Sequence, residues 1–87
     1  LDIRYQLQFL DLLKKLNKEQ KLSIITVIHD VNLAARYCDR IAVMKEGELV
    51  GVDIPRKILT KEMMSQAFNV EICLMETPVG PQMCIIR

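Results

Sequence analysis

The apolar run at residues 23–28 constrains the fold more than any other feature of the sequence. It spells SIITVI, and its two polar residues, Ser23 and Thr26, do not alternate with the apolar ones. Strands with one face in water alternate, whereas strands covered on both faces, as in the middle of a parallel sheet, are apolar almost throughout. The run is therefore predicted to be a buried strand, and its fold needs neighbouring strands and covering helices.

A helix is predicted before this run. From Ile3 to Leu16 apolar residues recur every three or four positions, which is typical of an amphipathic helix. Asp2 stands where a helix N-cap is expected. The polar stretch NKEQK at residues 17–21 breaks the pattern and is predicted to be a loop.

A short helix and a hairpin are predicted after the run. Asp30 can cap a helix from Val31 to about Tyr37, and RIAVM at residues 40–44 is predicted to be a second buried strand. KEGE then supplies a turn in which Gly47 is free to adopt a positive φ, and LVGV is the returning strand.

The remaining third is predicted to add helices and a second strand pair. Pro55 opens a short helical turn, and Thr60 caps an amphipathic helix that ends near Phe68. Two further strand candidates, VEICLM and QMCII, are joined by ETPVGP. The predicted class is α/β, with parallel strands, flanking helices, a β-hairpin and a small C-terminal β addition across residues 1–87.

This order of elements leaves the sheet incomplete. Parallel strands require neighbours on both edges and helices on both faces, and two buried strands cannot supply them. We therefore expect further strands before residue 1, an expectation that fits a first residue of Leu rather than Met. Alone, the chain is expected to expose apolar surface and to self-associate.

Composition excludes several classes of protein. A net charge of +1, with the lysines of the first helix diluted by Asp11 and Glu19, does not provide the basic face of a nucleic-acid-binding protein. No apolar run approaches the roughly 18 residues of a membrane-spanning helix. Cys38, Cys73 and Cys84 have no CxxC spacing, and we expect buried thiols in a reducing, cytosolic protein.

His29, the only histidine, is the candidate site residue. It follows the predicted strand directly and precedes a helix, which is where open α/β sheets bind ligands. A histidine that only hydrogen-bonds nearby backbone at the strand end explains the position equally well. For Asp30, helix capping is a sufficient explanation.

A complete active site cannot be assembled from these residues. One histidine cannot supply a multi-histidine metal centre, and Ser23 lies six residues from His29, on the order of 20 Å along a strand, too far for a catalytic triad. The three glycines do not form a phosphate-binding loop. No metal site is predicted.

Three stretches carry a family resemblance: LDIRYQLQFLDLLKKL, ITVIHDVNLAARYCDRIAVMKEGELV and PRKILTKEMMSQAFNVEI. Together they resemble the C-terminal part of an ABC transporter ATPase, a P-loop NTPase. The resemblance is closest to the importers of iron-siderophore, haem and cobalamin complexes, and it covers essentially the whole chain. It implies a subunit that couples ATP hydrolysis to uptake of a metal chelate.

The resemblance also implies roles for individual residues. His29 matches the switch histidine, which contacts the γ-phosphate of ATP and helps to hold the attacking water and the transition-state charge. Leu1 and Asp2 match the end of the D-loop, whose aspartate crosses the dimer interface. Arg56 and Lys57 stand where acidic residues are common in the family, so a changed local conformation is expected there.

The partners follow from the same resemblance. The parent protein would bind ATP and Mg²⁺, form a homodimer of ATPase subunits, and lie on the inner face of the cell membrane against transmembrane permease subunits. The Walker A, signature and Walker B motifs would precede Leu1, so the fragment alone is expected to be inactive and to hold no cofactor. An alternative is a self-standing dimerising or regulatory module derived from the same fold.

Overall fold

The computed structural model describes residues 2–87, and Leu1 lies outside the described residues. The elements in chain order are α1 (Ile3–Gln20), α2 (Val31–Tyr37), β1 (Ile41–Lys45), β2 (Glu48–Asp53), α3 (Pro55–Ile58), α4 (Lys61–Phe68), β3 (Ile72–Thr77) and β4 (Gly80–Ile85). The mixed α/β class is therefore confirmed, and the predicted helices and both hairpins are present.

The first hairpin has the expected turn. β1 pairs antiparallel with β2, and the register sets Lys45 against Glu48. Glu46 and Gly47 form the two-residue loop, with φ of 52° and 80°. Two positive φ values in succession give a turn whose twist matches that of the strands, which is why glycine is favoured there.

The second hairpin is tighter than its sequence suggested. β3 pairs antiparallel with β4, with Thr77 opposite Gly80, so the loop consists of Pro78 and Val79 alone. The Thr77 hydroxyl donates to Gly80 O over 2.8 Å and accepts from Val79 N over 3.2 Å. The side chain of Thr77 therefore closes the turn from the strand side.

The first helix is longer than predicted. α1 continues through Gln20 and ends at Lys21, which adopts the left-handed conformation with φ 55°. The prediction of a loop at NKEQK is therefore wrong. Lysine, glutamate and glutamine are good helix formers, and an exposed last turn needs no apolar residue to continue.

The prediction of a central strand at residues 23–28 is wrong for this chain. Both sheets of residues 2–87 are two-stranded and antiparallel, and residues 23–28 join neither of them. Ile25 is 100% exposed and Val27 82%. A strand is defined by its pairing, and within the described residues this segment has no neighbour, so no parallel strand forms. In β1, similarly, only Val43 is buried.

The core lies in the C-terminal part of the chain. Met64 has no exposed surface and Ile72 only 2%. The buried cluster gathers residues from α2, both sheets, α4 and the α3–α4 region: Ala35, Val43, Ile58, Leu59, Met64 and Ile72. Of α1, only Leu10 is buried. α1 and residues 22–28 thus lie largely outside this core.

The expected exposure of apolar surface is confirmed. The accessible surface is 6709 Å². A folded monomer of 10.0 kDa exposes about 5,200 Å², so the excess is on the order of 1,500 Å². The cysteines differ from expectation, since Cys84 is exposed and the other two are half-buried. None of the described helices combines the length and apolar character needed to cross a membrane.

Candidate functional site

His29 lies at the junction between the unpaired segment and α2. The next residue, Asp30, is the N-cap of α2, and its Oδ1 accepts from Asn32 N over 2.9 Å and from Leu33 N over 3.3 Å. The capping role of Asp30 is thus confirmed. His29 itself is exposed, and no hydrogen bond within residues 2–87 involves its side chain. The imidazole is therefore accessible to a ligand.

The helix that follows His29 is held on two sides. Toward α1, the Tyr37 hydroxyl donates to Asp11 Oδ1 over 2.8 Å, and Lys14 Nζ donates to Tyr37 O over 3.2 Å. Toward β4, Asn32 bonds to both backbone groups of Met83. α2 is consequently a fixed platform, although the segment that precedes His29 is not paired.

Two groups at the C-terminal end of α2 have shifted pKa values. Partial burial, and then the hydrogen bond to Asp11, raises the pKa of the Tyr37 hydroxyl above its ordinary value of 10.0. Partial burial, and then the neighbouring Asp39 carboxylate, raises the pKa of the Cys38 thiol. Both shifts favour the protonated forms, and a thiol that is more firmly protonated is a weaker nucleophile.

Asp2, the second predicted site residue, lies at the start of α1. Its Oδ1 accepts from Arg4 N over 2.9 Å, as expected of an N-cap, and the residue is exposed. No hydrogen bond or ion pair joins Asp2 to His29 within the described residues. The structure of residues 2–87 therefore shows no direct contact between these two residues, and Leu1 lies outside the described residues.

One surface groove lies beside the unpaired segment. It has a volume of about 530 Å³ and is bounded by α1, residues 23–28 and the α2–β1 region. A second groove of about 470 Å³ lies between α4 and the ends of β3 and β4. His29 and Asp2 line neither of them. The described residues also contain no group of three or more His, Cys, Asp or Glu side chains placed to hold a metal ion.

The site in this chain is thus one accessible imidazole on a fixed helix end. It can donate or accept one hydrogen bond to a ligand, and the carboxylate next to it in sequence, Asp30, is engaged in capping α2. Sequence analysis missed Asn32, whose side chain holds α2 against β4. An asparagine in the first turn of a helix gives no sequence indication of a partner 51 residues away.

Comparison with known proteins relates this arrangement to a family. The petrobactin import ATP-binding protein of Bacillus anthracis is 41% identical over 81 residues, which cover 93% of this chain. The ferric enterobactin transport ATP-binding protein of Escherichia coli K12 is 33% identical over 92% of the chain. A hemin import ATP-binding protein of Burkholderia pseudomallei is 34% identical over 92%.

The chain is homologous to a segment of ABC transporter ATP-binding subunits. It spans about 30% of the length of these relatives. The solved inward-facing conformation of a metal-chelate type ABC transporter matches the fold with a TM-score of 0.79 at 18% identity, over 99% of this chain and 35% of that one. No protein-family model matches the chain. The family resemblance inferred from the sequence is thereby confirmed.

Proposed function

We propose that the chain is the C-terminal part of an ATP-binding subunit of an ABC transporter, which couples ATP hydrolysis to uptake of a metal chelate of the iron-siderophore, haem or cobalamin type. The carrying observation is that siderophore and hemin import ATP-binding proteins match more than nine-tenths of the chain at 33–41% identity. The similarity is continuous from α1 to the second hairpin, so it does not depend on one motif.

In this proposal His29 contacts the γ-phosphate of ATP. The imidazole is exposed, free of protein hydrogen bonds in the described residues, and fixed by the capped helix that follows it. A hydrogen bond from its ring to a γ-phosphoryl oxygen strengthens as negative charge shifts during transfer to water. His29 therefore acts on the transition state more than on nucleotide binding.

The remaining parts of the nucleotide site would lie outside residues 2–87. ATP and Mg²⁺ would be held by the phosphate-binding, signature and Walker B residues of the parent protein, and Asp2 would reach across the interface of an ATPase homodimer. Transmembrane permease subunits would hold this dimer at the inner face of the membrane. Since these motifs would lie before Leu1, the chain alone is expected to be inactive.

The unpaired segment supports a larger parent domain. Residues 23–28 carry the sequence pattern of a doubly covered strand, yet all but Ile28 are exposed, and all but Val27 border the 530 Å³ groove. Strands from elsewhere in the parent would pair with this segment and cover the apolar side of the groove. The alternative, a self-standing dimerising module, would have a second copy of the chain cover it.

The upstream coding sequence distinguishes these two proposals. An in-frame GxxxxGK[ST] motif followed by an LSGGQ-like motif is expected before Leu1. A stop codon and a new start immediately upstream would contradict the transporter proposal and favour the module.

His29→Ala in the full-length protein tests the mechanism. We expect steady-state ATP hydrolysis to fall by about 10²–10³, as for loss of one donor to a transition-state oxyanion, with nucleotide affinity nearly unchanged. Lys57→Ala, an exposed change on α3, is the matched control and should leave turnover intact. Turnover of the His29 variant equal to that of the control would refute the switch role.

A further inference from the structure

Two free thiols oppose each other on the C-terminal hairpin. Cys73 of β3 and Cys84 of β4 are direct partners in the register, and Cys73 is half-buried whereas Cys84 is exposed. Directly opposed residues of an antiparallel pair project from the same face, where their side chains interact. The two sulfurs therefore share one face, although they are eleven positions apart in the sequence.

The hydrogen bonds of Met83 fix the spacing of this pair. Asn32 Oδ1 accepts from Met83 N over 2.7 Å, and Asn32 Nδ2 donates to Met83 O over 2.9 Å. The backbone groups of Met83 thus point toward α2 and away from β3. Hydrogen-bonded and non-hydrogen-bonded pairs alternate along an antiparallel ladder. Leu74–Met83 is the non-hydrogen-bonded kind, so Cys73–Cys84 is the hydrogen-bonded kind.

This spacing suits a bridging ion better than a disulfide bond. In a hydrogen-bonded pair the Cα atoms are about 5.5 Å apart, a separation that disulfides also show, whereas the Cβ atoms lie toward the wide end of a range of about 4.5–5.5 Å. A disulfide needs Cβ atoms about 3.5–4.5 Å apart. With thiolate–metal bonds of about 2.3 Å, the value for zinc, an ion can bridge sulfurs up to about 4.6 Å apart.

A third sulfur lies on the same face. Met75 is two residues after Cys73 on β3, opposite Gln82, and its side chain is 48% exposed. On the other face of the hairpin, Ile72 is buried in the core and Met83 packs against it, whereas Leu74 and Ile85 are exposed. Strand alternation therefore places two thiols and one thioether on the open face, where an ion from solution can reach them.

We propose that Cys73, Cys84 and Met75 form a binding site for a soft monovalent cation of the copper(I) class. Thiolate and thioether ligands select copper(I) over harder ions, which prefer oxygen or imidazole. As the two sulfur–copper bonds form, the two thiol protons pass to solvent, and neither sulfur nor copper changes oxidation state. Sequence spacing conceals the site, which exists only through the register set by the Pro78–Val79 loop.

Competition for copper(I) tests the site. The reduced 87-residue chain, kept free of oxygen, is titrated with copper(I) held by the chromogenic chelator bicinchoninate, and one tightly bound equivalent is expected. Loss of an outer-shell partner already weakens metal binding by about 10–100-fold, so loss of a ligand should cost at least as much. Cys73→Ser and Cys84→Ser should each weaken binding by at least about 100-fold, and Met75→Leu, which removes the weaker thioether ligand, by about 10-fold. Cys38→Ser, which removes the thiol outside the hairpin, is the matched control and should bind normally.

Three results would overturn the proposal. The first is a loss of copper(I) affinity in Cys38→Ser as large as that in Cys84→Ser. The second is zinc that saturates the chain and is not displaced by copper(I). The third is a reduced chain that binds no copper(I) but forms a Cys73–Cys84 disulfide with oxidised glutathione. Far-UV circular dichroism checks the fold of each variant. Because Cys84 is exposed, Cys84→Ser should remain folded and decides the test if Cys73→Ser does not.

Discussion

The C-terminal part of the chain and the segment before His29 differ in the interactions that fix their structure. From α2 onward, capped helices and two hairpins enclose a shared core that includes Met64 and Ile72. Residues 22–28 are more apolar per residue, yet all but Ile28 are exposed and none is paired in a sheet. Apolar character alone therefore does not bury a strand, because its backbone groups also need partners.

The difference follows from the range of the interactions. A two-residue turn and a helix cap are complete within a few residues, so the chain can form them wherever the residues occur. A doubly covered strand depends on hydrogen bonds to two neighbours that are distant in sequence. The turns and helix caps form within the chain, whereas residues 2–87 contain no strand that pairs with residues 23–28.

Truncation of Met64 should show the largest effect. Its side chain has no exposed surface in the core, so Met64→Ala should cost about 2–5 kcal/mol of unfolding free energy through lost burial and a residual cavity. The measurement is the urea midpoint followed by far-UV circular dichroism. The matched change Ile25→Ala, at a residue that is 100% exposed, should stay within about 0.5 kcal/mol. Equal losses would show that residues 22–28 are packed in solution.

Several local features could be predicted from the sequence for physical reasons. Gly47 after Glu46 specified a two-residue turn, and Asp30 and Thr60 specified helix starts where their side chains accept backbone N–H groups. His29 was identified because it follows an apolar run and precedes a cap. Each prediction depended on residues within one or two turns of the feature itself.

Features that depend on distant contacts could not be predicted. The hydrogen bonds between Asn32 and Met83 and the pairing of Cys73 with Cys84 depend on strand register and packing. No short sequence motif predicts either of them. The sequence analysis anticipated that residues 23–28 need neighbouring strands from outside this chain, but only the structure showed that within residues 2–87 the segment is unpaired and largely exposed. The end of α1 was missed because a polar helix turn and a polar loop have similar composition.

Removal of the Asn32 side chain should have an intermediate effect. Asn32→Ala leaves the N–H and C=O of Met83 without their partners at a part-buried position, which should cost about 1–3 kcal/mol. Asn17→Ala, which removes a solvent-accessible hydrogen bond to Leu22 O, is the matched change beside the exposed segment and should cost less than about 0.5 kcal/mol. Urea unfolding measures both. If Asn17→Ala lowered the free energy of unfolding more than Asn32→Ala, the segment before His29 would be held more firmly than the C-terminal part, contrary to the structure.

The ion pair between Arg56 and Glu76 should have the smallest effect. The Arg56 guanidinium of α3 donates to both carboxylate oxygens of Glu76 on β3, which ties α3 to the second hairpin. This hydrogen bonding lowers the pKa of Glu76 below its ordinary value of 4.5. A carboxylate with a lower pKa in the folded state stabilises the fold above its unfolded pKa, and the stabilisation is lost as the pH falls through the folded value.

The urea midpoint of the wild-type chain should accordingly fall between pH 5 and pH 3 by slightly more than that of Glu76→Gln, whose side chain does not titrate. The difference should be small, since both partners are exposed and solvent screens the pair. Glu48→Gln, which removes a carboxylate that belongs to no ion pair within residues 2–87, is the matched control for the loss of one negative charge. If Glu76→Gln kept the full pH dependence, the bidentate contact would contribute nothing to joining α3 and β3. Residual pH dependence common to all three proteins would then have to come from the other carboxylates of the chain.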